Sequence, residues 1–227
     1  MTVKMHHPAG AYSASATRGN SYVLDRYALR LLKPAIDRAA GEIKRRGYSA
    51  NQVTFTGFGL GLIAALCIAF GLFQLAVLPL LASRALDGLD GAVARTGVAT
   101  DRGAFLDIGL DFLFYGTVPL AFAVADPASN ALAAAALLAA FVGTGASFLA
   151  YAVIAEKRGM KSTAYPSKSI YYLGGLTEGT ETIACFLAMC WWPGHFAAIA
   201  YFYATLCLIT IATRMLAGWQ AFAEPND

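Results

Sequence analysis

The chain has 227 residues, of which 58% are hydrophobic and 14% charged, with a formal net charge of +3 and a mean hydropathy of +0.55. Apolar residues gathered in long runs exclude an ordinary soluble domain, and a small positive excess placed beside such runs points to a membrane surface and not to nucleic acid. The composition predicts an all-α integral membrane protein.

Residues 1–23 are polar and rich in Ser, Ala and Gly without an apolar core, which reads as a disordered N-terminal tail and not a secretory signal. Beyond them, Leu24, Ala28, Leu31, Leu32, Ala35, Ile36 and Ala39 recur at helical spacing among Arg26, Arg30, Lys33, Arg38, Lys44, Arg45 and Arg46. Residues 24–47 are therefore predicted to form an amphipathic juxtamembrane helix lying on an anionic cytoplasmic leaflet, with Pro34 as a point of bending.

Crossing a hydrocarbon core of about 30 Å takes roughly 20 helical residues. Six stretches qualify: Val53 to Phe73, Leu75 to Ala94, Gly103 to Ala125, Ala131 to Ala155, Ile170 to Trp192 and Phe196 to Trp219. Residues 48–220 thus read as one domain of six transmembrane helices, and residues 221–227 as a C-terminal tail. No repeat of 20 to 50 residues and no second soluble domain is evident. All 17 Lys and Arg lie before the first span, around the second-to-third connection (Arg84, Arg95, Arg102), between the fourth and fifth (Lys157, Arg158, Lys161, Lys168), or near the end at Arg214. With six spans, this places both termini and every positive segment on the cytoplasmic side. The four cysteines (Cys67, Cys185, Cys190, Cys207) fall within spans, lack metal-ligand spacing and read as small buried apolar side chains.

The second span poses the main question. It has only about 12 apolar residues before Asp87, or roughly 18 Å of helix, so it must run on through Asp87 and Asp90 to about Ala94 to cross. Two carboxylates three residues apart then share a helix face, about 6 to 10 Å below the cytoplasmic surface of the core. The third span carries Asp107 and Asp111, again on one face. The two helices are antiparallel and joined by only Thr96 to Arg102, so Asp87 is expected level with Asp111, and Asp90 with Asp107. At about 2.5 to 3.5 kcal/mol for one central Asp, four approach the order of 10 kcal/mol before the interface and water reduce the cost.

Arg84, Arg95 and Arg102 read as too few and too peripheral to neutralise four acids. Divalent cations answer the need, and all-oxygen ligation suits Mg²⁺ or Mn²⁺. His6 and His7, in the tail, are not candidate ligands. Gly88, Gly91 and Gly103, with Ala92 and Ala94, leave room beside the acids for a ligand, although small residues also serve close helix packing in membranes.

The residues Asp87-Gly-Leu-Asp90-Gly91-Ala-Val-Ala94-Arg95, followed by Gly103-Ala-Phe-Leu-Asp107-Ile-Gly-Leu-Asp111, resemble the signature D-x-x-D-G-x-x-A-R, G-x-x-x-D-x-x-x-D of the CDP-alcohol phosphatidyltransferases. The gap between Arg95 and Gly103 is one residue shorter than is usual in that family, which bears on the connecting loop and not on the acid pairs. The resemblance implies a six-helix membrane enzyme, usually dimeric, with its site facing the cytoplasm of a bacterial inner membrane. It implies transfer of a phosphatidyl group from a CDP-linked lipid, usually CDP-diacylglycerol, to the hydroxyl of a small alcohol, with release of CMP. Carried over residue by residue, Asp87, Asp90, Asp107 and Asp111 resemble the ligands of two divalent ions, and Asp111 also the general base. Asp90, Gly91, Ala94 and Arg95 resemble the nucleotide and phosphate contacts. Asn51 and Thr54 resemble an N-x-x-T element near the nucleotide, while a helix cap built from Ser49 or Asn51 accounts for them equally well.

For the alcohol, Arg158, Lys161, Lys168 and Arg214 are candidate contacts to an acceptor phosphate, as in glycerol 3-phosphate or inositol phosphate. Loop cations also satisfy the positive-inside rule alone. Glu178, about eight residues into the fifth span, and Glu181 one turn deeper fit a polyol or the amine of serine, or structural pairs with Lys168 and Arg214. A cation transporter also places acids at membrane depth, but there the acids lie nearer the midplane, without an arginine beside them. A nucleotide-lipid binder without turnover conflicts with all four aspartates being present.

Overall fold

The computed structural model describes residues 22–97, 100–160 and 176–223. Among them there are helices and no strands: α1 (Tyr22–Arg45), α2 (Ala50–Ala69), α3 (Phe73–Arg95), α4 (Asp101–Ala125), α5 (Pro127–Lys157), α6 (Gly179–Trp191), a 3₁₀ turn at Pro193–His195, and α7 (Phe196–Ala221).

Side-chain caps open α2, α4 and α5. Ser49 opens α2 with a reciprocal box: its Oγ accepts from the Gln52 N–H at 3.3 Å, and Gln52 Oε1 accepts from the Ser49 N–H at 2.8 Å. Ser49, and not Asn51, is therefore the cap, which leaves Asn51 free for another role. Thr100 opens α4 by accepting from Gly103 N–H at 3.1 Å, and Asp126 opens α5 ahead of Pro127 by accepting from Ser129 N–H at 3.2 Å. The α2–α3 reversal passes through Gly71 at φ +76°, a left-handed conformation that glycine adopts without strain.

Among the described residues, four helical stretches are long and apolar enough to cross a membrane: α2, α4, α5 and Pro193–Ala221. The helix α3 matches them in length at 23 residues but carries Arg84, Asp87, Asp90 and Arg95. Its outward face is apolar all the same, with Leu75, Leu78 and Leu81 exposed. Exposed Leu132, Val142 and Phe202 continue that surface on α5 and α7, as expected where the solvent is lipid.

The expected fifth span, Ile170 to Trp192, differs. Residues 161–175 lie outside the described residues, and the chain is not helical at Leu176 to Glu178. The described helix begins at Gly179 because Glu178 and Glu181 form a capping box, Glu178 N–H donating to Glu181 Oε2 at 3.2 Å. Glu178 is thus a helix cap and not a residue eight positions inside a span.

The bundle has two cores. The larger gathers the fully buried Phe114, Phe122, Phe186, Phe196, Leu80 and Leu137 from α3 to α7, with Phe122 stacked on Phe196 at 4.5 Å. The smaller lies at the acid-bearing end, where Ala40 of α1 meets Val53, Ala92 and Val93, flanked by Ile36, Ile43, Leu86 and Leu89. The apolar face of the second half of α1 is therefore covered by α3. Lys44 Nζ also donates to the Thr96 carbonyl, fastening α1 to the end of α3.

Candidate active site

Three helices meet around the acids. The approach of α2 to α3 and α4 depends on missing side chains: a Cβ on Gly57 would stand 3.2 Å from Leu86 Cβ and 3.3 Å from the Ser83 carbonyl oxygen, and one on Gly61 would stand 2.6 Å from Phe114 Cδ2. Close approach brings polar groups of α2 against α3. Thr54 Oγ1 donates to Asp90 Oδ2 at 2.6 Å, and both residues are buried, Asp90 at 4% exposure. A charge-assisted hydrogen bond of this kind offsets part of the cost of placing a carboxylate there.

The expected cross-helix pairing of the acids is present. Asp87 interacts electrostatically with Asp111, and Asp90 with Asp107, from α3 to α4, both of which pack against α2. Asp107 is on the exposed side of the cluster, whereas Asp87 and Asp111 are half-buried. A narrow cleft opens between Thr54, Gly57, Arg84, Asp87 and Asp111.

Arg84 corrects the expectation from sequence. It is not peripheral: its side chain is 7% exposed, its Nη1 donates to Asp111 Oδ1 at 2.6 Å, and the same nitrogen stands 3.5 Å from Asp87 Oδ2. The signal was available, since Arg84 precedes Asp87 by three residues and so shares its helix face, one turn deeper.

The nucleotide-side candidates cluster at the open end. The Arg95 Nη1 lies 3.3 Å from where a Cβ on Gly91 would be, so the guanidinium folds over that glycine. A Cβ on Gly103 would meet Asn51 Oδ1 at 3.3 Å, which sets Asn51 beside the start of α4. Ala94 is half-buried on the same last turn of α3 as Arg95.

The donor chemistry of the four acids fits hard divalent ions: eight carboxylate oxygens on adjacent turns of two helices, with no sulfur or imidazole among them. As arranged, with Arg84 wedged between Asp87 and Asp111, no three His, Cys, Asp or Glu of the described residues are drawn together as a coordination sphere.

The acceptor candidates separate. Lys161 and Lys168 lie outside the described residues. Arg158 is turned toward the chain end, donating to the Phe222 carbonyl at 2.8 Å with its guanidinium 5.4 Å from that ring. Arg214 is buried at 8% exposure and donates to the Thr144 carbonyl at 3.2 Å. One turn before it, Thr210 accepts from Leu176 N–H at 3.2 Å and lies 3.1 Å from the Thr177 hydroxyl, tying the segment ahead of Glu178 to α7.

Three similarities bear on this arrangement. The sequence profile of the CDP-alcohol phosphatidyltransferase family matches residues 48–219. The inner membrane protein YnjF of Escherichia coli (strain K12) is 45% identical over 197 residues, which cover 87% of this chain and 96% of that one. The fold is shared with a phosphatidylinositol phosphate synthase of Mycobacterium tuberculosis, whose crystal structure has CDP-DAG bound, at a TM-score of 0.65 and 22% identity, over 81% of this chain and 93% of that chain.

Proposed function

Because the chain belongs to the CDP-alcohol phosphatidyltransferase family, we propose that it moves the phosphatidyl group of CDP-diacylglycerol to the hydroxyl of a small phosphorylated alcohol, glycerol 3-phosphate or inositol phosphate, at the α2–α3–α4 junction. Phosphatidyl transfer follows from the family; the donor lipid and the acceptor class are our reading. The observation that carries it is the convergence of Asp87, Asp90, Asp107 and Asp111 from α3 and α4, with Thr54 bonded to Asp90 and Arg84 to Asp111.

Each residue has a task in that reaction. Arg95 and the last turn of α3, with Gly91 and Ala94, offer charge and space to the cytidine diphosphate, and Asn51 and Thr54 approach from α2. A guanidinium suits phosphate because it stays charged and binds through two N–H groups. Asp111 accepts the proton of the acceptor hydroxyl as its oxygen forms the new bond to phosphorus. The bond from phosphorus to the CMP oxygen breaks in line, and CMP leaves with the electron pair. Two divalent ions held by Asp87, Asp90, Asp107 and Asp111 would offset the diphosphate charge and make the acceptor hydroxyl easier to deprotonate.

The acceptor assignment rests on Arg214, a buried guanidinium of α7, with Arg158, Lys161 and Lys168 as further candidate cations in the sequence. Glu178 and Glu181 already serve as caps for each other's backbone, which weighs against serine, whose amine would need one of them. We further propose six spans in the inner membrane, with α3 and the segment ending in α6 completing the four apolar crossings. Both termini and the site then face the cytoplasm, α1 lies at the interface, and the enzyme is a homodimer.

The test of donor and acceptor is to incubate the purified protein with CDP-diacylglycerol and Mg²⁺, offering glycerol 3-phosphate, inositol phosphate, inositol and serine separately, and to identify the lipid product by mass. A phosphorylated headgroup is the expected result. A serine or plain inositol product would overturn the acceptor assignment, and a product from a different CDP-linked lipid would overturn the donor.

A further inference from the structure

Among the charged groups of the junction, Arg84 bonds to Asp111 but has no step of its own in the reaction above. Its guanidinium lies 3.7 Å from the centre of the Phe114 ring and 5.7 Å from that of Tyr115. Phe114 is fully buried and has Gly61 against its edge, so the ring that carries the cation is held in place by packing. The Nη2 donates to Ser83 Oγ at 3.2 Å, and Nη1 to Asp111 Oδ1. Its Nε is buried without a hydrogen-bond partner among the described residues.

A buried donor left unsatisfied is unfavourable. The pose of Arg84 is therefore explained by where it puts charge and not by how fully it is hydrogen-bonded. It puts that charge between Asp87 and Asp111, at the deep end of the acid cluster. Two carboxylates there repel each other, and a cation between them relieves the repulsion. The guanidinium engages Oδ1 of Asp111, and Asp111 also lines the cleft.

Resting on the reading of the four aspartates as metal ligands, we propose that Arg84 is the fixed internal counter-ion of the acidic site. It is a positioning residue that orients Asp111 and holds the cluster together, while its charge lowers the affinity of the cluster for divalent ions. A unit charge a few ångströms from a divalent ion changes affinity by at least about tenfold at the effective dielectric of a partly buried site. The sign separates this role from a packing role: loss of a mere packing residue loosens the site and weakens metal binding, whereas loss of a counter-ion strengthens it.

The experiment measures Mn²⁺ binding to the purified full-length protein by calorimetry, together with its melting temperature in chelator and in Mn²⁺. Wild type is compared with Arg84→Met, Arg84→Gln and Arg84→Lys. The Gln variant keeps an N–H donor near Asp111 and carries the comparison if Met prevents folding. Both neutral variants are expected to bind Mn²⁺ at least about tenfold more tightly, to melt lower in chelator, and to gain more on adding Mn²⁺. The Lys variant, which restores charge, should return close to wild-type affinity. Wild-type protein that binds no Mn²⁺ would overturn the metal reading itself. Wild type that binds, beside folded neutral variants that bind no more tightly, would overturn only the role of Arg84.

Discussion

Thr54 of α2 donates its hydroxyl to Asp90 of α3 at 2.6 Å, a bond between buried groups 36 residues apart that joins the first membrane helix to the acid motif. Hydrogen bonds to charged groups contribute about 1.5 to 3 kcal/mol. Thr54→Val keeps the shape and removes the donor, so it should lower the turnover rate by roughly 10- to 100-fold, since each 1.4 kcal/mol is a factor of ten. Thr54→Ser should keep most of the activity. CMP release at saturating donor checks both.

Replacing Asp111 separates chemistry from binding. Asp111→Asn removes the proton acceptor, and a positioned general base contributes typically about 10² to 10⁴ in rate. The variant should lose that factor in turnover while retaining CDP-diacylglycerol binding within about threefold, well short of the tenfold that 1.4 kcal/mol would bring. Asp90→Ala should lose donor binding as well, because Asp90, unlike Asp111, also stands among the candidate nucleotide contacts and accepts the Thr54 bond. Equilibrium binding of labelled donor, measured beside turnover, distinguishes them.

The glycine contacts of α2 predict a graded packing effect. A Cβ at Gly61 would stand 2.6 Å from the Phe114 ring, while Gly59 on the same helix has open space around its Cβ position. Gly61→Ala should destabilise by about 1 to 3 kcal/mol, as overpacking does. It should also reduce activity, because Phe114 carries Arg84. Gly59→Ala should be close to neutral. Thermal melts in detergent with a parallel turnover assay decide the point.

Arg214 offers a specificity test. Arg214→Ala should raise KM for a phosphate-bearing acceptor with a smaller change in KM for CDP-diacylglycerol. An unchanged acceptor KM would assign Arg214 to structure, through its bond to the Thr144 carbonyl.

Outside the spans, Asp126 gives a pH signature. Bonds from the Ser129 hydroxyl and N–H hold its exposed carboxyl below the usual carboxylate range. A depressed native pKa contributes stability above the unfolded value, and that contribution disappears as pH falls through the native value. Asp126→Ala should therefore melt lower than wild type at pH 7, and the gap should close as pH drops below the carboxyl's ordinary value of 3.8. Melts of both proteins at pH 7 and pH 3 measure the gap.

The acid pairs were legible because helix periodicity alone sets Asp87 beside Asp90 and Asp107 beside Asp111, and a short loop sets the two pairs opposite each other. Arg84 was misjudged by counting it with the loop cations, although the same periodicity puts it on the acid face. Hydropathy did not locate the start of α6, because the Glu178 and Glu181 cap is a matter of side-chain to backbone hydrogen bonds that apolar averages do not register. The pattern of α1 revealed an apolar face but not its partner. Ala40, buried against Val93 and Ala92, shows that α3 covers its second half.

The most direct test of the account is CMP release from CDP-diacylglycerol by the purified wild-type protein in Mg²⁺, with glycerol 3-phosphate or inositol phosphate, beside the Asp111→Asn variant and a chelated control. Release is expected to depend on acceptor, metal and Asp111 together. Release that persists at the wild-type rate in Asp111→Asn or in chelator would contradict it.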